Sequence, residues 1–467
     1  MSLVQTGVGA QSKKSVYSPA HQSCPAEHAL PKYWYINPLQ SPAGAWQGSQ
    51  VATEYELDQN IGLVKDFGLQ VQLSPFAIPA QAPNLPPTPF WLSYIEILLG
   101  ADQLETVYAN ELWSEQVAYM TELQQHNMAN IYNFNEYFNS PVRRYSQDSY
   151  AAVAANPTSP SVPLAFDQDS LGNNNSGVNG PIFTSSGNYY IPLGATCLKS
   201  MKPFVKGFNK KFKIRIIWQT SLPSQQVILA NGVPIQPGQG NIPAAPYTLA
   251  TYQPKLQSAT LVVQEEILAP SENARMIQSH KTGIVNYNMI ARVRMQGSIP
   301  SYLPLTPCNT TLSAHSGKSA GLMFYITNSN PSNDSFTQRD AYSSVQILDA
   351  LGNKITEVLD SDFVESSIFP SCFNSSFPSS SDPDVRNISV IPFSSKLSKT
   401  IENGCITGSC LLTGREIITI TPDNGTAGQR LPNGEMSSVG QNKQLTIVSY
   451  KYRGITLTMG EGQSRDL

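Results

Sequence analysis

Residues 94–119 read YIEILLGADQLETVYANELWSEQVAY, and their pattern recurs 250 positions later, where residues 344–369 read SVQILDALGNKITEVLDSDFVESSIF. In each copy an alternating apolar segment predicts a strand, and a turn rich in Gly, Asn and Asp follows it. After one more aliphatic residue, each copy continues as an amphipathic helical segment. The strand residues are Ile95, Ile97 and Leu99 in the first copy and Val345 and Ile347 in the second, and the single aliphatic residues are Leu104 and Ile355. A repeat of this length predicts two similar domains in tandem and not a solenoid of short units.

The composition indicates a large β-rich chain with many loops. The 467 residues include 35 Pro and 31 Gly, and only 13% are charged, which favours two or three loop-rich domains. The net charge of -3 gives no global basis for binding nucleic acid, because phosphate contacts require an excess of basic surface. We expect the main basic cluster to be a solvated strand face, and its members are Lys206, Lys210, Lys211, Lys213 and Arg215.

The sequence gives no sign of a membrane span or of export. No apolar run reaches the roughly 18 to 20 residues that cross a bilayer. The N-terminal segment lacks the apolar core of a signal peptide, so we expect a soluble or peripheral protein outside the secretory route. Scattered cysteines without a CxxC pair favour free thiols in a reducing compartment, although Cys405 and Cys410 lie close enough in sequence to pair. The six cysteines are Cys24, Cys197, Cys308, Cys372, Cys405 and Cys410.

The N-terminal part and the loops stand apart from the strand patterns. Residues 1–45 are polar and show little periodicity, so we expect an extended arm that is ordered only by contact with another molecule. Loops longer than about 12 to 15 residues usually carry function or are disordered. Such loops are predicted in both halves, at residues 140–188, 221–254, 370–388 and 421–442.

No catalytic or metal-binding constellation stands out. The GKS run at residues 317–319 lacks the earlier Gly of a phosphate-binding loop, because Leu312 occupies that place, so we expect a flexible turn. Five histidines are spread singly, without a metal-binding spacing. Glu265 and Glu266 would alternate between the faces of a strand, which makes them poor partners in acid/base catalysis. We therefore predict no enzyme, no catalytic residues, no metal site and no cofactor.

Six segments follow one another in a characteristic order, and they lie at residues 52–73, 94–113, 189–197, 258–295, 388–412 and 445–462. They comprise an opening strand pair, a strand with a turn and helix, a Pro-Leu strand, a strand with a charged helix, a Pro-Phe strand and closing Tyr-rich strands. In this order the chain resembles the double jelly-roll major capsid proteins of icosahedral DNA viruses, especially those of large eukaryotic DNA viruses. Positions that match the family are Leu268, Glu272 and Arg275. The chain departs from the family at Asn273, Ala274 and the turn at residues 100–101, where a double Gly is usual.

The resemblance implies an all-β fold of two tandem eight-stranded jelly rolls, with a few short helices and long inter-strand loops. We expect the arm at residues 1–45, the first jelly roll at 46–296 and the second at 297–467. The Gly and Pro residues of MQGSIPSYLPLTP, which follows Arg294, favour a linker there because they interrupt the strand patterns on both sides.

The resemblance also implies a function as a capsid protein of the virion. The chain would be a non-enzymatic viral structural protein whose homotrimeric, pseudo-hexagonal capsomers tile an icosahedral capsid. Its partners would be other copies of itself, minor capsid or cement proteins and an inner membrane, without direct contact to nucleic acid, and assembly would occur in the host cytoplasm or nucleus. Loop residues expected in the trimer contact are Pro163, Phe166, Pro181, Phe183, Tyr247 and Tyr252. Arm residues expected to bind below the shell are Lys13, Lys14 and Tyr17.

Other functions remain open at this stage. A minor capsid or vertex protein is related, but the tandem duplication favours the main tile, because a single jelly roll serves a fivefold vertex better. A β-sandwich adhesin or glycan-binding surface protein would share the low charge, yet it should carry an export signal or a disulfide framework. A β-sandwich hydrolase such as a glycosidase needs two carboxylates about 5 to 9.5 Å apart in a cleft, and no such pair is marked.

Overall fold

The computed structural model of the chain describes residues 30–73, 88–119, 188–221, 227–228, 234–235, 255–299, 303–328, 341–373, 388–404, 406–423 and 442–466. These residues are mostly β-strand, with a few short helices, as the sequence predicts. Among them, none of the helices has the length and apolar character needed to cross a bilayer.

The N-terminal half contributes ten strands: β1 (Leu30–Ile36), β2 (Ala52–Glu56), β3 (Leu63–Leu73), β4 (Leu92–Leu99), β5 (Asp102–Tyr108), β6 (Asn188–Pro192), β7 (Phe212–Trp218), β8 (Val227–Ile228), β9 (Pro234–Ile235) and β10 (Leu256–Ile267). Eight of them form two antiparallel sheets, with the orders β1-β10-β3-β6 and β2-β7-β4-β5. The short strands β8 and β9 pair with each other.

The C-terminal half contributes the other ten: β11 (Ile284–Ile299), β12 (Cys308–Thr311), β13 (Ser316–Asn328), β14 (Tyr342–Leu348), β15 (Leu359–Asp360), β16 (Ser389–Pro392), β17 (Cys410–Thr413), β18 (Ile417–Pro422), β19 (Lys443–Thr458) and β20 (Glu461–Asp466). Their two sheets have the orders β11-β19-β13-β16 and β12-β18-β14-β15. Strand β17 adds to β13, and β20 adds to β19.

The two halves have one topology. When the eight main strands of each half are counted along the chain, one sheet has the order 1-8-3-6 and the other the order 2-7-4-5 in both. Two packed antiparallel sheets with this interleaving form a jelly roll. The described residues thus confirm the predicted pair of eight-stranded jelly rolls, which we call the first and the second jelly roll.

Short helices connect some of the strands, namely α1 (Ala109–Tyr119), α2 (Thr196–Met201), α3 (Pro270–Thr282), α4 (Ser361–Phe363), α5 (Phe369–Phe373) and α6 (Leu397–Asn403). A π-helical segment, Val364–Ile368, joins α4 to α5. The strand, turn and helix of the sequence repeat are confirmed, because the hairpins β4–β5 and β14–β15 occupy equivalent places and each is followed by a helix. Unlike the prediction, each copy has a second strand between turn and helix, and Leu104 lies in it. Asp360 caps α4 by accepting a hydrogen bond from the Asp362 N–H.

Alternating side chains fill the space between the sheets of each jelly roll. In β2 and β7 every second residue is buried, which is the period of a strand with one face on the core. Three tryptophans anchor the first core, since the Trp46 ring packs edge-on against Trp91 and Trp218 at centroid distances of 5.5 and 5.8 Å. The Trp46 indole N–H donates to the Trp91 carbonyl, so its polar atom is satisfied inside the core.

The predicted boundary between the jelly rolls, at residues 296 and 297, falls inside β11. This strand pairs with β19 over its whole length, and its residues Val285, Tyr287 and Met289 belong to the first core, so the strand is shared by both jelly rolls and the predicted boundary stays a prediction. Gly297 lies within the strand and does not end it. A Cβ there would lie 2.9 Å from the Thr310 methyl, so the glycine makes room for that methyl group. Within the arm predicted at residues 1–45, Leu30–Ile36 form the edge strand β1, which pairs with β10 of the first jelly roll.

One ladder runs through both jelly rolls. The β11–β19 pairing extends from Ile284 opposite Thr458 to Ile299 opposite Lys443 without a register shift. Tyr287 at one end belongs to the core of the first jelly roll, whereas Ile299 at the other end belongs to the core of the second. Because both cores contain side chains of the same two strands, the jelly rolls are joined by continuous secondary structure and not by a loop alone.

Candidate functional site

The residues predicted for the trimer contact and for the arm contact lie outside the described residues, so they stay predictions. The trimer set is Pro163, Phe166, Pro181, Phe183, Tyr247 and Tyr252, and the arm set is Lys13, Lys14 and Tyr17. The described residues instead contain a buried polar contact between the two jelly rolls. We call it the inter-roll contact, and it joins β5, α1 and α2 of the first jelly roll to β11 and β19 of the second.

A buried ion pair lies at the centre of the inter-roll contact. The Arg292 Nε atom is 2.8 Å from Glu105 Oε1, and both side chains have 0% exposure. The Arg292 backbone N–H donates to the same oxygen at 3.1 Å, and its guanidinium also donates to the Gly194 carbonyl. A charge this deeply buried is tolerated only when it is paired and hydrogen-bonded, so each jelly roll depends on the other to bury its half of the pair.

The second oxygen of the Glu105 carboxylate binds α2. The backbone N–H of Cys197 donates to Oε2 at 2.9 Å, at the first turn of the helix. Burial, together with the nearby Glu105 carboxylate, raises the pKa of the Cys197 thiol well above its ordinary value. This thiol stays protonated at neutral pH, which argues against a role as a nucleophile.

A second ion pair extends the contact toward α1. The Arg294 Nε atom is 3.1 Å from Glu111 Oε1, and the Glu111 side chain is fully buried. The Arg294 guanidinium also lies over the Tyr108 ring, 4.0 Å from its centroid, in a cation–π arrangement. Alternate residues of β11 point to one side of the strand, so Arg292 and Arg294 both face the first jelly roll.

Two further hydrogen bonds close the edges of the inter-roll contact. Arg453 of β19 donates from Nη1 to the Leu104 carbonyl at 3.0 Å. The Ser200 hydroxyl of α2 accepts from the Ile290 backbone N–H at 2.8 Å while it donates to the Thr196 carbonyl. Each of these bonds pairs a polar group of one jelly roll with a polar group of the other.

A buried histidine connects α3, β11 and the first jelly roll. His280 Nδ1 lies 2.7 Å from the Met276 carbonyl and must donate to it, so Nε2 accepts from the Tyr287 hydroxyl at 2.7 Å. The Tyr287 oxygen accepts in turn from the Phe204 N–H. Burial lowers the pKa of His280, which keeps the ring neutral. Gly207 lies directly against this ring, because a Cβ at Gly207 would be 2.3 Å from His280.

The basic cluster noted in the sequence is paired with carboxylates on the outer face of β2, β7 and β4. Arg215 lies between Glu54 and Glu96, at 3.2 and 3.0 Å. Lys213 binds Glu54 at 2.7 Å, and this hydrogen bond is the largest cause of the lowered pKa of Glu54. Lys210, Lys211 and Lys206 bind Asp102, Glu56 and Glu265, respectively. The interpretation as a solvated strand face is confirmed, since an anionic ligand would have to displace these carboxylates.

The described residues also include the sequence motifs that were weighed for a phosphate site, a metal site and disulfides. The GKS run at residues 317–319 lies in β13 and pairs with β17, so the expected flexible turn is wrong. The preceding turn ends at His315, whose Nδ1 lies 2.8 Å from the Ser449 hydroxyl, and the strand begins at the next residue, Ser316. Within the described ranges no group of three or more His, Cys, Asp or Glu side chains is placed to hold a metal ion. The cysteines with described thiols are unpaired: Cys197, Cys308, Cys372 and Cys410.

The inter-roll contact does not follow from the sequence alone. Glu105 and Arg292 are 187 positions apart, and each lies on a strand where a polar residue usually faces solvent. A signal does exist in β11, where two arginines interrupt an otherwise apolar stretch, MIARVRM. Charged residues in the middle of a long apolar strand indicate a buried partner elsewhere in the chain.

No protein-family model and no curated protein matches this sequence. Solved structures do match its fold. The PBCV-1 protein VP54, fitted into a reconstruction of the virophage Sputnik, is 10% identical with a TM-score of 0.60, and the match covers 94% of this chain and 97% of that one. The Faustovirus major capsid protein is 10% identical with a TM-score of 0.54, with 92% and 91% covered. The 3.5 Å structure of the Sputnik virophage is 9% identical with a TM-score of 0.53, with 94% and 88% covered. Since the likeness extends over both jelly rolls, the chain has the double jelly-roll fold of viral major capsid proteins.

Proposed function

We propose that this chain is the major capsid protein of an icosahedral virus and that its capsomers are homotrimers with a pseudo-hexagonal outline. One observation carries the proposal: the chain contains two jelly rolls of identical topology, and the β11–β19 ladder and the inter-roll contact join them. The fold shared with the Faustovirus major capsid protein supports it.

The physical argument starts from the two similar units. A chain that holds two similar units side by side presents two similar blocks to its neighbours, and three such chains around a threefold axis present six. Six similar blocks in a ring can occupy the hexagonal positions of a closed shell. The arrangement needs a fixed geometry between the two blocks, and the buried ion pair and the shared strands supply it.

Partners and location follow from this proposal. The chain would bind other copies of itself, neighbouring capsomers and minor capsid or cement proteins, with an inner membrane below the shell in contact with the arm. We expect no direct contact with nucleic acid, because the basic side chains on the outer strand face are already paired with carboxylates. The protein would reside in the virion after assembly in the host cytoplasm or nucleus. It would have no enzymatic activity.

Electron microscopy of the purified protein tests the proposal. Class averages should show particles with a hexagonal outline and six lobes of similar size. Two-lobed particles at every concentration would contradict it and would favour a minor capsid protein or a β-sandwich surface protein.

A further inference from the structure

The inter-roll contact joins an edge strand of the first jelly roll to an edge strand of the second. Because the two jelly rolls have the same topology, each also has the edge strand that is equivalent to the one used by the other. In the sheet orders β5 ends one sheet of the first jelly roll, and β11 ends one sheet of the second. By position in the topology, β15 corresponds to β5, and β1 corresponds to β11. The edges of β5 and β11 lie against each other inside the chain. In contrast, Tyr33 and Tyr35 on β1 are exposed, and so are Val358, just before β15, and Phe363 in α4.

The helix that follows each edge strand can be compared residue by residue. Val107 of β5 pairs with Ile95, and Leu359 of β15 pairs with Val345. Five residues further along, each chain segment places an aliphatic side chain in its core, Leu112 in the first jelly roll and Val364 in the second. The residue immediately before Leu112 is Glu111, and the residue immediately before Val364 is Phe363. Phe363 therefore occupies the position of Glu111.

These two equivalent residues differ in their surroundings. Glu111 is fully buried and binds Arg294 across the inter-roll contact. Phe363 is 51% exposed, and Val358 beside it is 59% exposed. A large apolar side chain at the position of a buried contact residue indicates a surface that is covered in the assembled protein.

The opposite edge shows the same difference. On β11, Arg292 and Arg294 point to one side, while Met295 packs on the core. On β1, Trp34 and Ile36 pack on the core, so the alternate residues Tyr33 and Tyr35 point away from it. Their exposures are 53% and 67%. The two tyrosines thus lie on the outward face of β1, as the two arginines lie on the outward face of β11, and both strands are edges of equivalent sheets.

We propose that a second copy of this chain covers these surfaces: β1 of one copy lies against β15 and α4 of the next, and Tyr33 and Tyr35 contact Phe363 and Val358. The contact inside the chain is joined by charge pairs, and its counterpart between chains is joined by aromatic and aliphatic packing. This inference rests on the proposed capsomer and names the residues that hold it together.

A second copy fits these surfaces because they are equivalent to the two surfaces that meet in the inter-roll contact. The β1 surface of one copy can therefore meet the β15 surface of another. Each chain has one surface of each kind, so the association is head-to-tail and repeats until the ring closes. Aromatic pairs stabilise a contact beyond their area burial, and Tyr is a residue type enriched in interfaces.

Matched double variants test the inference. Tyr35→Glu with Phe363→Glu places like charges in the proposed contact, whereas Tyr35→Arg with Phe363→Glu recreates a complementary pair. Glu at position 363 suits the first turn of a helix, so α4 should remain folded. In a dilution series followed by light scattering, we expect the Glu/Glu variant to dissociate at a concentration at least tenfold higher than the wild type. The Arg/Glu variant should dissociate near the wild-type concentration, and 1 M salt should weaken it, because the Debye length then falls to about 3 Å.

A control and a second readout keep the test decisive. Leu351→Glu changes an 87% exposed leucine at the β14–β15 turn, outside the proposed contact, and should leave the dissociation concentration unchanged. Tyr35→Cys with Phe363→Cys should form disulfides between chains under mild oxidation, whereas Tyr35→Cys with Leu351→Cys should not. If the wild type is trimeric, and the Glu/Glu variant dissociates like the wild type without cross-linking of the Cys pair, the inference is wrong and the capsomer proposal stands. If the wild type is monomeric at all concentrations, the capsomer proposal itself fails.

Discussion

Arg292 and Glu105 form an ion pair with no exposed side-chain surface, although they lie 187 residues apart and on different jelly rolls. The pair is therefore a property of the whole chain, because neither jelly roll could bury its own charge alone. It fixes the orientation of one roll on the other through two strands and one helix, and it is the natural place to test how tightly the two units are coupled.

Glu105→Ala should destabilise the protein by about 3 to 5 kcal/mol, because it leaves Arg292 buried without its carboxylate. Thermal or urea unfolding measures the loss. Glu357→Ala is the matched control, since the Lys354–Glu357 pair is 57% and 75% exposed and should change stability by less than about 1 kcal/mol. Equal effects of the two substitutions would contradict a structural role of the buried pair.

Replacing both charges should cost less than removing one. Glu105→Leu with Arg292→Met keeps apolar volume at the site and leaves no unpaired charge, so it should be more stable than Glu105→Ala. The comparison uses the free energy of unfolding of the two variants. A double variant that is as unstable as the single one would show that the hydrogen bonds to Cys197 and Gly194, and not the charge balance, dominate this site.

Tyr287→Phe should destabilise the protein by about 1 to 3 kcal/mol, because it leaves both His280 Nε2 and the Phe204 N–H buried without a partner. Leu351→Ala, at an 87% exposed position outside the proposed contact between chains, is the control and should lie within about 0.5 kcal/mol of the wild type. Unfolding midpoints of the two variants decide between a hydrogen-bonded network and simple packing.

Gly207→Ala should destabilise the protein by about 1 to 3 kcal/mol, since the new Cβ would lie 2.3 Å from His280 and would force the ring away from Tyr287. Gly44→Ala is a matched control, because its Cβ would meet only Val51 at an ordinary 3.4 Å. If Gly207→Ala unfolds at the wild-type temperature, the packing of His280 against residue 207 is wrong.

Stability should fall in mild acid because two buried histidines bind protons less readily when folded. Burial lowers the pKa of His280, and it lowers the pKa of His315 to about 4. Both rings are neutral in the folded and the unfolded chain above about pH 6.5, so they do not affect stability there. Below that pH the unfolded chain takes up protons first, and stability decreases until the folded pKa is reached.

The window from pH 6.5 to 5.5 isolates this effect, because most carboxylates titrate below it. Tm should fall across the window in the wild type, and His315→Gln should show a smaller fall. A Tm that is constant between pH 6.5 and 5.5 would contradict neutral buried histidines.

Much of the fold follows from the sequence because strands with one buried face carry a period-2 pattern. The repeat around Ile95 and Val345 predicts the duplicated strand, turn and helix, and the strand face around Lys213 is predicted as solvated. The place of Gly297 inside a strand does not follow from the sequence, because glycine signals a break locally, while the Thr310 methyl that packs over it is distant in sequence. The inter-roll contact was missed for a related reason, since pairs such as Arg294 and Glu111 follow only from how the sheets pack in three dimensions.

The most direct test of the central claim is the solution mass of the purified protein, measured by light scattering after size exclusion. We predict one stable species at three times 50.9 kDa, about 153 kDa, which is a homotrimeric capsomer. A folded species that stays at 50.9 kDa at every concentration would contradict the capsomer and leave only the double jelly-roll fold.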